Sequence, residues 1–101
     1  MQGTQQYPSR ADLHNDLAAA YLERFRRRGA RDDAVRAGAA AMRATELSPG
    51  RPEPWFNLAL SRQTEGNERA ALQAVERAET VDPASPWTAE LRSRLDGFRE
   101  R

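Results

Sequence analysis

Helix breakers cut this chain into short pieces at close intervals. Pro8, Gly29, the run "SPGRPEP" (48–54), the pair Gly66-Asn67 and the run "DPASP" (82–86) leave no uninterrupted stretch longer than about twenty residues. Between the breaks, apolar residues recur every three or four positions, the period of a helix with one buried face. Nowhere do apolar and polar residues alternate as a half-buried strand requires. The pattern predicts an all-α chain of five helices joined by short turns.

Ser9 followed by Asp12 reads as a capping box for the first helix, which runs to about Arg27. Leu13, Leu17, Tyr21 and Phe25 form its apolar stripe, widened by Ala18 and Leu22. Arg26, Arg27 and Arg28 sit where the helix dipole favours cations, and Gly29 ends the helix. The second helix, from about Asp32 to Leu47, has a small-residue interior of Ala34, Ala37, Gly38, Ala39, Ala40, Ala41 and Ala44. Such residues let a neighbouring helix come close. The third begins near Pro52 and carries Trp55, Leu58, Ala59 and Arg62; the fourth is capped by Asn67 and has Ala71, Leu72, Val75, Ala78 and Val81 on its inner face. Trp87, Leu91, Leu95 and Phe98 give the fifth a single stripe, with Ser85 as its cap.

With 101 residues the chain has room for one domain, and that size predicts modest stability. A net charge of +1 supplies no global attraction to nucleic acid. All 16 basic residues are Arg, as a GC-rich genome or selection for bidentate contacts would produce. With no Cys and one His, disulfides and Cys-based chemistry are excluded, and a metal site has too few ligands. No signal-type or membrane-spanning apolar run is present, so the default location is the cytoplasm.

The segment 52–85 is 34 residues long and resembles a tetratricopeptide repeat. Trp55 matches the opening aromatic, Leu58-Ala59 the Leu-small pair, and Gly66-Asn67 the turn. Ala71 and Ala78 match the small contacts, and Asp82-Pro83 the terminal Asp-Pro. Arg62 and Val75 depart from the family's aromatic preferences. A longer copy at 9–49 shows Leu17-Ala18, Tyr21, Gly29, Ala34 and Ser48-Pro49, with His14 where the Trp should stand. "NDLAAAYLER", "WFNLAL" and "DPASPW" also resemble the repeat region that precedes caspase-like (CHAT) peptidase domains in some bacterial proteins. The resemblance implies two helical hairpins, a capping helix at 86–99 and an α-α superhelix behind a flexible lead-in at 1–8. The domain would span 9–99.

The resemblance also implies a groove lined by the first helix of each hairpin. The matching positions are Asn15, Asp16, Ala19, Leu22 and Glu23, then Glu53, Phe56, Asn57, Leu60, Gln63 and Thr64, with Glu90 and Arg94 closing the end. Phe56 and Leu60 lie on another face of the helix from Trp55 and Leu58, so they are free to contact a ligand while Trp55 packs inside. The amides of Asn57 and Gln63 suit an extended peptide or a docked helix. Trp87 is expected in the core. The basic run "RFRRRGAR" (24–31) fits dipole-matched solvation, an acidic partner or nucleic-acid phosphate, and Asp32-Asp33 directly after it favours the first. No nucleophile, base and phosphate loop come together, so no enzyme and no cofactor are expected. The function expected is a protein-binding adaptor or scaffold with a protein or peptide partner, and with no nucleic acid or membrane as ligand. The alternative is a structural module, homodimeric through an open end face, or a regulatory piece of a longer protein.

Overall fold

Ser9 starts the fold. In the computed structural model its hydroxyl accepts a hydrogen bond from the Asp12 amide at 3.0 Å, and the Asp12 carboxylate accepts one from the Ser9 amide at 3.3 Å. This reciprocal cap satisfies donors that a helix start leaves open. The first helix, α1 (Arg10–Arg28), ends at Gly29, which takes a φ of 72° that a side chain would resist. It is followed by α2 (Arg31–Leu47), α3 (Pro52–Thr64) and α4 (Glu68–Val81). Pro52 sits in the first turn of α3, where its missing N–H costs nothing. The Asn67 side chain caps α4 by accepting from the Ala70 amide at 3.2 Å. The structure describes residues 9–86, 89–90 and 92–93.

The four helices form two antiparallel hairpins, α1–α2 and α3–α4, with α3 laid against both α1 and α2. One core cluster joins all four: Ala18 from α1, Ala40 and Ala41 from α2, Phe56, Leu58 and Ala59 from α3, and Ala71, Ala74 and Val75 from α4. Small residues dominate the contacts, so the helix axes can approach closely and their ridges interlock. Gly38 shows the same economy of space. A methyl group there would sit 2.7 Å from the guanidinium of Arg62 on α3, which pairs with Glu65 at the end of the same helix at 3.1 Å. Arg62, the departure from the repeat pattern, thus fills the space over a glycine. Among the described residues α2 and α4 do not pack on each other.

The expected five-helix, elongated superhelix is overturned. The described residues form four helices in one globule, and the radius of gyration of 13.7 Å lies close to the roughly 13 Å of a compact chain of this length. Unequal hairpins are the physical reason. Helices of 19 and 17 residues face helices of 13 and 14, and α3 closes against α1 and α2 over one shared core. Among the described residues no stack of like units carries a repeat or scaffold reading, and that reading falls. The all-α class holds among the described residues. The lead-in 1–8 and most of the capping helix at 86–99, with Trp87, Leu91, Arg94, Leu95 and Phe98, lie outside them.

The stripe expected to bury α1 also needs correction. Leu13 and Leu17 are 55% and 44% exposed, while Ala11 and Ala18 are buried. Helix α1 turns its small residues inward because close approach to α2 and α3 buries more backbone and neighbouring surface than a leucine ridge would allow. Tyr21, Leu22 and Phe25 are half-buried along the edges.

Arg51, in the turn before α3, ties the two hairpins together. It donates to the Asp12 carboxylate and, at 2.8 Å, to Glu53. The Arg51 hydrogen bond, helped by those from Ser9, holds the Asp12 pKa below its ordinary value. A depressed folded pKa contributes stability that is complete above the unfolded value, near pH 4, and is lost as pH falls through the folded one. Urea midpoints measured from pH 6 down to pH 2 should therefore show the native chain ahead of Arg51→Met above about pH 4. The gap should close in stronger acid. A gap that stays constant across that range would contradict the coupling.

Candidate functional site

Helices α1 and α3 run side by side in the same direction, so their seam presents matched positions from each. Near its start the Asn57 side-chain amide donates to the Asn15 carbonyl oxygen at 2.7 Å. One to two turns further on, Leu22 and Phe25 from α1 meet Leu60, Gln63 and Thr64 from α3 around a depression of about 390 Å³. Arg26 and Gly29 complete its rim. From Asn15 to Leu22 the seam extends about 10 Å, the length of roughly three extended residues.

Of the residues expected at a groove, the structure brings Asn15 and Asn57 together as one pair, and Leu22, Leu60, Gln63 and Thr64 as one lining. Asp16, Ala19 and Glu23 are exposed and do not line this depression, and Glu23 pairs with Arg26 at 3.4 Å. Glu53 is engaged by Arg51. Phe56 belongs to the core, 7% exposed, and cannot line a surface. Arg94 lies outside the described residues. Phe25 and Arg26 were missed, although they stand three and four positions after Leu22 and so on its side of the helix.

Trp55 divides its surface between packing and solvent. One side rests against the core cluster, and its indole N–H donates to the Pro49 carbonyl at 3.0 Å. The Arg77 guanidinium stacks 5.1 Å from the ring, within reach of a cation–π attraction. Trp55, Leu58, Ala74 and Arg77 share a second depression, of about 520 Å³, between α3 and α4.

Among the described residues Asp33 is the most deeply buried charge. It accepts two hydrogen bonds from Arg24, at 2.9 and 3.1 Å, which clamp the turn between α1 and α2. That bond to Asp33 raises the Arg24 pKa, and the same guanidinium lies 5.5 Å from the Tyr21 ring. "RFRRRGAR" is therefore partly structural. Among the described residues no group of His, Cys, Asp and Glu could hold a metal ion, and no helix is long and apolar enough to cross a membrane.

No known family, curated protein or solved structure matches this chain. Nothing in these comparisons links the chain to tetratricopeptide proteins or to peptidase-associated ones.

Proposed function

We propose that this chain is a protein-binding module that seats a short peptide along the α1–α3 seam. The observation that carries the reading is the grouping of Leu22, Phe25 and Leu60 with Gln63 and Thr64, in line with the Asn15–Asn57 pair. Half-buried apolar side chains there give a peptide side chain a place to desolvate. The amides of Gln63, Asn15 and Asn57 retain donors and acceptors for a peptide backbone. The reading assigns the chain no reaction and no cofactor.

Panning a random peptide library against the folded chain tests this. Selected peptides should shift the backbone NMR signals of Leu22, Leu60 and Gln63 most, and Leu22→Asp with Leu60→Asp should weaken them at least about tenfold, or 1.4 kcal/mol. Shifts centred on Trp55 and Arg77 instead would move the site to the α3–α4 depression and end this assignment.

A further inference from the structure

Helices α1 and α2 share an outer seam that faces away from α3. Helix α3 occupies the opposite edges of this pair, where Leu22 meets Leu60 and Gly38 meets Arg62. On the outer side, Leu13 and Leu17 of α1 stand exposed, and Leu47 of α2 is 37% exposed. Leu17, Tyr21 and Ala39 line a depression of about 360 Å³, with His14, Arg36 and Arg43 around it. An apolar trough between two packed helices has the shape that a third helix fills.

Charge separates the candidate occupants. On α1, Arg10, Arg24 and Arg28 share the face of Leu13, Leu17 and Tyr21 at spacings of three and four, while the acids Asp12, Asp16 and Glu23 fall on another face. The lining of the depression contains no carboxylate. Arg24 is held by Asp33 and Arg43 by Glu46, whereas Arg10, Arg28 and Arg36 have no carboxylate partner among the described residues. A second copy laid on this face would bring cations against cations. A flat bilayer would leave the trough unfilled, and a phosphate backbone would leave the leucines without contact. We infer that the outer α1–α2 seam receives an acidic amphipathic helix of a partner protein, its apolar ridge on Leu13, Leu17 and Tyr21 and its carboxylates toward Arg36, Arg43 and Arg10. This is a second surface, independent of the α1–α3 seam.

The probe is a synthetic helix of about 18 residues, five turns, with Leu at i, i+4 and i+7 and Glu flanking that ridge. A control peptide carries Lys in place of each Glu. Fluorescence anisotropy with the full chain should show the Glu peptide binding and the Lys peptide at least about tenfold weaker. The double variant R36E/R43E should weaken the Glu peptide at least about tenfold and accept the Lys peptide, with circular dichroism unchanged. Leu17→Ser should weaken both pairings, whereas Leu22→Asp should leave them unaltered. No binding of the Glu peptide, or equal binding of both peptides, would overturn the inference. So would a dimer in light scattering that Leu17→Arg dissolves, or stronger binding to anionic vesicles or to an oligonucleotide than to the Glu peptide.

Discussion

Phe56→Ala is expected to lower the unfolding free energy by about 3–5 kcal/mol. The ring sits in the core shared by all four helices, among alanines that have no side-chain reach to refill the space. A cavity there cannot collapse without moving a helix, and the cost of a large-to-small change grows with the cavity left behind. For a domain of this size that loss is a large part of the total stability. Leu60→Ala, one turn along the same helix but half-exposed, should cost about 1 kcal/mol. Urea denaturation followed by circular dichroism measures both. Equal losses at the two positions would mean that Phe56 is not where the structure places it. The same contrast bears on function. A joint alanine replacement of Phe56, Asn57 and Leu60 would unfold the chain as well as alter the seam, so the seam is better probed at Leu22 and Leu60.

Ala41→Leu should be destabilising in the opposite way, by about 1–3 kcal/mol. Ala41 has no exposed surface and belongs to the core cluster at the face of α2 that α1 and α3 approach. Three extra carbon atoms must push a helix outward or take an unfavourable rotamer. Ala39→Leu, two residues away and exposed, adds the same atoms to solvent and should stay within about 0.5 kcal/mol of the native chain. Thermal midpoints for the pair isolate close helix approach from helix propensity, because both substitutions have the same intrinsic preference. Should Ala41→Leu match Ala39→Leu, small residues would not be what sets the α2 contacts.

Part of the candidate site could be read in advance. Asn15 and Asn57, 42 positions apart, were assigned to one surface and do share a hydrogen bond. Leu22, Leu60, Gln63 and Thr64 likewise converge. Those positions lie on the facing edges of two parallel helices; the repeat resemblance grouped them across the two helices, which spacing within either helix does not. Phe56 was misplaced because a 13-residue helix in contact with α1, α2 and α4 has more than one buried face. Periodicity identifies one apolar stripe and gives no rank to two. Leu13 and Leu17 were misplaced for the converse reason. A hydrophobicity pattern weighs leucine above alanine, but packing at close range selects the smaller side chain.

Local chemistry needed no tertiary information. The cap at Ser9, the left-handed turn at Gly29, Pro52 in a first turn and the Asn67 cap all act within three or four residues, so the amino-acid order alone determined where α1, α3 and α4 begin and where α1 ends. What only the tertiary structure decided is which face of each helix turns inward and how the hairpins meet. Ala18, Gly38 and Ala41 leave room, Phe56 and Arg62 fill it, and Leu13 and Leu17 are left outside. Those outcomes depend on the fit of several helices at once, a property of shape and volume that no single stretch of sequence contains.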